Sequence, residues 1–279
     1  MLNGWVKPVG LTRWISAIGD VLFPRRCGSC GHLFVRQAGH AVARDTMGRL
    51  EDLPPRAWAA YFCGCCRNRW TAVASPLCSS CGLVFTGRQG PDHLCGRCLK
   101  KPFGFGRARA VGLYDQTLRA AIVQLKFKGT AGLAQPLGEL LYGAFRRYWP
   151  PGGIDMVAPV PLHGRRLRQR GFNQAYLLVR RWRLPRETEL VRDLLVRTRD
   201  TAPQSGMSRR QRRRNIDKAF AVNRSGRSSG RRVLLVDDVL TTGATADACA
   251  RALIGDGAAG VDVLTLARAP QPAPDGTGA

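Results

Sequence analysis

The 279-residue chain lacks any long apolar run. Its purely aliphatic stretches are as short as residues 233–236, far below the roughly 20 residues that a membrane-spanning helix requires. Residues 1–24 are broken by Lys7, Arg13 and Asp20 and show no small-residue cleavage site. No signal peptide is read there, and a cytoplasmic protein is the expectation. Two common nucleotide signatures do not describe the Thr-Thr-Gly loop that follows residues 233–236: it lacks the Gly-Lys-Ser/Thr ending of a P-loop, and it is not the dinucleotide G-x-G-x-x-G. Apolar residues still make up 44% of the chain, enough for a buried core, which excludes a wholly disordered protein.

Acidic residues and lysine are scarce. Asp and Glu number 19 against 44 basic residues, for a net charge of +25, and only six of the basic residues are lysine. Arginine presents a planar fork of donors that matches phosphate. The excess is concentrated: residues 163–232 hold 21 basic and five acidic side chains. A polyanionic partner and a solvated basic face both fit this distribution.

Cysteine is plentiful and ordered. Four Cys-x-x-Cys pairs fall within 72 residues: Cys27/Cys30, Cys63/Cys66, Cys78/Cys81 and Cys95/Cys98. Two thiolates two residues apart grip one tetrahedral ion, and two such pairs complete an all-cysteine zinc site. Four pairs therefore predict up to two structural zinc ions. Without a secretion signal a disulfide framework does not fit, and redox dithiols lack their βαβ context. Consecutive and crossed pairing both remain open, and His32 and His93 stand nearby as alternative ligands. Residues 36–60 read as a polar insertion within the first ribbon. Ahead of the ribbons, Leu11, Trp14, Ile15, Ile18, Val21 and Leu22 follow helical spacing, predicting a short amphipathic helix within 1–24.

From residue 106 the pattern alternates. Strands are expected at 108–114, 154–160, 233–236 and 261–266, and helices at 118–125, 133–147, 173–182 and 243–254. Alternation of this kind predicts an α/β domain over 106–268, with a parallel sheet covered on both faces, behind a ribbon module over 25–105. The Pro- and Gly-rich tail, 269–279, reads as disordered.

The most informative stretch is Val233-Leu-Leu-Val-Asp-Asp-Val-Leu-Thr-Thr-Gly-Ala-Thr245. A buried strand delivers Asp237 and Asp238 to its carboxyl end, where open α/β sheets bind ligands. A Thr-Thr-Gly loop then opens a helix, whose amides and hydroxyls suit a phosphate. Two carboxylates beside it accept hydrogen bonds from a vicinal diol. The ligand implied is a sugar phosphate.

This stretch resembles the phosphoribosyl pyrophosphate (PRPP) motif of type I phosphoribosyltransferases. The resemblance implies that Asp237 and Asp238 hold the ribose hydroxyls. It implies that Thr241, Thr242, Gly243, Ala244 and Thr245 wrap the 5-phosphate, and that magnesium comes with the pyrophosphate. Further motifs are similar to the ComF family of competence-associated proteins: Pro159-Val-Pro-Leu-His163, Arg166-Leu167, Arg170-Gly-Phe-Asn-Gln174, Leu125-Lys126 with Gly129, Gln204, Arg212-Arg-Arg-Asn215 and Ala219-Phe220. The four cysteine pairs look like that family's double zinc ribbon. The likeness runs over 22–267. The chain departs from the pattern in the 36–60 insertion, in Cys65 and in the tail.

Around the motif, Lys126, Pro161, His163, Arg166 and Arg170 are candidate pyrophosphate contacts, with Arg214 as a further one. His163 also fits a structural role, and Asn173 fits a helix cap. The family resemblance implies a part in natural transformation, acting on incoming single-stranded DNA or on nucleotides derived from it. Phosphoribosyl transfer from PRPP and a non-catalytic PRPP pocket on a DNA-handling protein are the two activities it leaves. The basic stretch 209–214 and the ribbons suit backbone contact with DNA.

Overall fold

The computed structural model describes residues 25–34, 58, 60–85, 90–127, 131–199 and 219–270. The predicted helix within 1–24, the basic stretch 209–214, Gln204, nearly all of the 36–60 insertion and the tail beyond residue 270 lie outside these.

The described residues begin with a small antiparallel pair, β1 (Arg25–Arg26) and β2 (Leu33–Phe34). Two single-turn helices follow, α1 (Gly64–Asn68) and α2 (Gly96–Lys100), each starting just after the first cysteine of a pair. Then come β3 (Ala108–Leu113), α3 (Gln116–Phe127), α4 (Ala134–Tyr148) and β4 (Met156–Pro159). Two short helices, α5 (Gly164–Arg170) and α6 (Gln174–Val179), lead to β5 (Glu189–Leu190). A two-stranded antiparallel ribbon, β6 (Leu195–Arg197) with β7 (Phe220–Val222), precedes β8 (Arg232–Leu240), α7 (Ala244–Gly255) and β9 (Gly260–Arg268). Among the described residues no helix is long and apolar enough to cross a membrane.

Five strands form one parallel sheet in the order β3-β9-β8-β4-β5. Its centre is aliphatic on both faces, as a doubly covered parallel sheet requires. Along β8 the side chains alternate. Leu234 and Val236 join a core with α3, α4 and α6, whereas Val233 and Leu235 join a core with α7 and the β6–β7 ribbon.

The cysteine ribbons share this packing. Cys27 and Cys66 are part of the core beneath α3 and α4. The end of the 36–60 insertion departs from the polar loop expected there. Trp58 is buried, stacks on Phe62 at 4.0 Å and accepts a backbone hydrogen bond from Phe62 N–H at 3.0 Å.

Two differences from the expected elements bear on the site. The strand expected at 233–236 runs on to Leu240 because β9 continues to pair with it, Asp237 against Thr265 and Leu240 against Arg268. The two aspartates therefore sit on the strand rather than after it. Helix α5 is the second difference, absent from the expected elements. It carries no buried residue, so no apolar period marks it.

Candidate functional site

Strand β8 leads through α7 to β9 on one side, and β4 leads through α6 to β5 on the other, with α6 and α7 on opposite faces. The connections diverge between β8 and β4, and a crevice outside the carboxyl ends of two such strands is where α/β sheets bind ligands. β4 pairs with β8 only as far as Pro159 against Val236, and Val160 N–H then donates to Val236 O at 2.8 Å. Beyond that point β8 carries Asp237 and Asp238 past the end of β4.

The two aspartates point into different layers. The buried Asp238 faces α3 and α6. Its carboxylate lies 2.9 Å from Lys126 Nζ and accepts a hydrogen bond from the buried Gln174 Nε2 at 3.0 Å. Gln174 Oε1 in turn accepts from Arg170 Nη1 at 2.8 Å. Burial would lower the Lys126 ammonium. Asp238, with Asp237 and Tyr114 adding, outweighs it and holds that ammonium above the usual lysine range. Half-buried Asp237 instead lines a small cavity with Thr241, Gly243, Ala244, Thr245, Val263 and Thr265. Burial, and then the adjacent Asp238, push its carboxyl up to about 7. Its Oδ1 accepts from Asp238 N–H at 2.8 Å, which fixes the side chain.

Helix α7 begins on the loop of threonines. Gly243 takes φ 78°, a left-handed conformation that costs an L-residue roughly 1–2 kcal/mol, and this turn points the chain into the helix. Ala244 N–H donates to Thr242 Oγ1 at 3.4 Å, and Asp247 N–H closes the first helical turn on Gly243 O at 2.8 Å. The start of the helix thus gathers amides and hydroxyls beside Asp237, the composition of an anion cradle.

Across the crevice, Pro161 lies half-buried in the loop after β4. His163 caps α5, its Nδ1 accepting from Arg165 N–H at 3.3 Å, so its side chain has a structural task. Arg170 is half-buried, and its guanidinium pKa is lowered by burial and by Arg166, with Asp238 opposing. Arg166 and Arg170, four residues apart and so on one face of α5, suit a multiply charged anion. Asn173 caps α6, accepting from Ala175 N–H at 2.9 Å. Lys126, Arg170 and Asp238 are thus joined in one network. Gln174 is its central member, and no local spacing marks it, because its partner on β8 lies far along the chain.

The cysteines form two groups, Cys27, Cys30, Cys63 and Cys66, and Cys78, Cys81, Cys95 and Cys98, each with its sulfurs within 4.8 Å of one another. This is the consecutive pairing. Four sulfurs about 2.3 Å from one zinc ion stand about 3.8 Å apart in a tetrahedron. Cys30 and Cys63 lie 3.8 Å apart, as do Cys81 and Cys95. Backbone amides point at the sulfurs: Cys63 N–H at Cys27, and Cys81 and Cys95 N–H at Cys78. The Cys81 thiol and these amides hold Cys78 below the usual thiol range, and the Cys78 side chain and burial hold Cys81 above it, so the negative charge sits on Cys78. Against the burial that raises it, the amides of Cys63, Ser29 and Cys30 lower Cys27 to about 7. Both groups fit zinc. Neither His32 nor His93 joins one; His93 stacks on Phe85 at 4.2 Å.

The parallel sheet, the acidic strand end and the threonine loop define a protein of the phosphoribosyltransferase class, here joined to a double cysteine ribbon, and residues 151–275 match the phosphoribosyl transferase domain family. "DNA utilization protein YhgH" of Escherichia coli (strain K12) is 37% identical over 213 residues, covering 74% of this chain and 90% of that protein. "Competence protein F" of Haemophilus influenzae is 31% identical over 223 residues, 75% of this chain and 97% of that one. "Competence protein ComFC" of Bacillus subtilis is 26% identical over 226 residues, 76% and 89%. The chain belongs to the ComF family.

Proposed function

We propose that the crevice binds Mg–PRPP and that this binding serves DNA uptake or the use of DNA-derived nucleotides in the cytoplasm. The reading rests above all on one observation: the Thr241–Thr245 turn opens α7 directly after Asp237 and Asp238, at the point where the sheet's connections diverge. The turn takes the 5-phosphate, and Asp237, which lines the same cavity, takes a ribose hydroxyl, with Asp238 behind it on the other face of β8, held by Lys126 and Gln174. Arg166 and Arg170, next to the loop of Pro161 and His163, take the pyrophosphate, with Lys126 alongside. Magnesium neutralises the pyrophosphate it arrives with. The link to DNA comes from relatives named for DNA utilization and for competence. Titration calorimetry tests the pocket. Micromolar binding of Mg–PRPP, about −8 kcal/mol, lost in Asp237→Asn/Asp238→Asn, supports the reading; no binding by the folded, zinc-loaded protein overturns it.

A second reading, direct contact with single-stranded DNA, is favoured by a groove away from the crevice. Tyr61, Tyr142 and Trp182 line it together with Arg180, Arg181 and Arg183. Aromatic rings with arginines beside them suit base stacking and phosphate contact. Replacing the three arginines with alanine is expected to weaken binding of an oligothymidine and to reduce the salt slope by about two. An unchanged slope contradicts this reading.

A further inference from the structure

The second cysteine group and the threonine loop meet at one enclosed side chain. Arg268, at the end of β9, is 2% exposed. Its Nε–H donates to Cys81 O at 3.1 Å. Its Nη1 donates to Leu240 O at 2.9 Å, Thr241 O at 2.6 Å and Ala269 O at 3.1 Å. Its Nη2 lies 3.9 Å from Cys81 Sγ. A guanidinium is a rigid planar fork. Here one edge reads the cysteine knuckle and the other reads the two residues that lead into the loop.

A second contact runs parallel to it. Arg97, between Cys95 and Cys98, lies over the Phe103 ring at 4.6 Å. That ring lies so close to Gly243 that a Cβ there would stand 3.0 Å from it. The next residue, Gly104, donates its N–H to Asp247 Oδ1 at 2.7 Å, in the first turn of α7. The first cysteine group braces a different wall. Thr117 Oγ1 donates to Cys66 O at 3.2 Å and Gln124 Nε2 to Ser29 O at 2.9 Å, both from α3, the helix of Lys126.

We propose that Arg268 is a positioning residue through which zinc in the second cysteine group sets the shape of the 241–245 loop and, with it, the affinity for the phosphate end of the ligand. The inference rests on the reading of that loop as a phosphate cradle. An anion cradle binds well only when its amides already converge. With Cys81 ligated, its carbonyl is a fixed point against which the guanidinium holds the carbonyls of Leu240 and Thr241. With Cys81 released, the fork keeps its charge and loses that anchor.

The full-length protein tests this in three variants: Cys98→Ser, which removes a ligand of the second group, Arg268→Lys, and the two combined. Hydrogen exchange at the amides of residues 242–247 reads the loop without any ligand, and the amides of β4 serve as an internal control. Exchange of the loop amides is expected to rise about tenfold in each single variant, a size typical of coupling between sites. β4 amides stay unchanged, and Arg268→Lys retains two zinc ions by metal analysis. The double variant is expected to be no faster than either single one. Ribose 5-phosphate affinity follows the same pattern, whereas pyrophosphate affinity stays within about twofold. Should Cys98→Ser fail to fold, Arg268→Lys, which removes no ligand, decides by its loop exchange. Unchanged loop exchange in Arg268→Lys, or strictly additive effects in the double variant, overturns the proposal. If the wild type binds neither ribose 5-phosphate nor PRPP, the cradle reading fails and the effect on affinity fails with it. Hydrogen exchange still separates that failure from a loop that the second group does not brace.

Discussion

Lys126 Nζ lies 2.9 Å from the carboxylate of Asp238, a contact between the last turn of α3 and the acidic end of β8. Asp238 is buried, and Gln174 is its other hydrogen-bond partner there. A buried carboxylate that loses its cation is costly, by 3–5 kcal/mol at full burial. Lys126 keeps some contact with solvent, so the expected loss for Lys126→Met is about 2 kcal/mol at pH 7, measured by urea unfolding. Combining Lys126→Met with Asp238→Asn is expected to cost less than the sum of the two. Additive costs would contradict the pairing.

Asp237 supplies a pH signature. Its folded pKa, about 7, stands above an unfolded value of about 3.9. The folded state therefore holds more protons between those values, and stability falls as pH rises through that window. Asp237→Asn keeps an oxygen that can accept from Asp238 N–H and removes the charge. It is expected to stabilise the protein by about 2 kcal/mol at pH 8, half the full linkage because solvent reaches the group, and to have little effect at pH 4. Equal effects at both pH values would contradict a folded pKa raised above the unfolded one.

Gly243 carries a conformational demand and a steric one. At φ 78°, with the Phe103 ring 3.0 Å from where an added Cβ would stand, Gly243→Ala is expected to cost about 1–2 kcal/mol and to weaken ribose 5-phosphate binding. Gly243→Asn meets the same ring, but asparagine tolerates the left-handed region better, so thermal denaturation should rank it between glycine and alanine only if backbone strain dominates. If both variants lose the same stability, contact with Phe103 is the larger cost.

The two cysteine groups differ in exposure. Cys30 is exposed and Cys63 half-buried, whereas all four cysteines of the second group are buried. A chelator is expected to strip the first group at least about tenfold faster than the second, because access to the second requires local opening. Metal release followed with a zinc-sensitive dye should show two phases, and Cys30→Ser should remove the fast one. A single phase in the wild type contradicts the ordering.

What is legible in the sequence follows the range over which its signals act. Residues 233–236 are aliphatic on both faces, so they announce a buried parallel strand, and the Cys-x-x-Cys spacing announces metal-binding turns, because both signals are local. Asn173 reads as a cap for the same reason. Helix α5 is not legible, since Leu167 is its single large apolar residue and is itself exposed. The continuation of β8 through Asp237 and Asp238 depends on the length of β9, which local propensity does not report. Lys126 and Gln174 meet Asp238 across 112 and 64 residues, and Arg268 meets Cys81 across 187. Such contacts exist only once the sheet has brought its strand ends together.

Phosphorus NMR resolves the 5-phosphate of PRPP from its pyrophosphate, so one titration reads both halves of the crevice. With the zinc-loaded protein and magnesium, both sets of resonances are expected to shift or broaden. Arg166→Ala/Arg170→Ala is expected to release the pyrophosphate signals while the 5-phosphate signal still responds. Resonances that stay unperturbed at millimolar protein would contradict the crevice as a phosphoribosyl site.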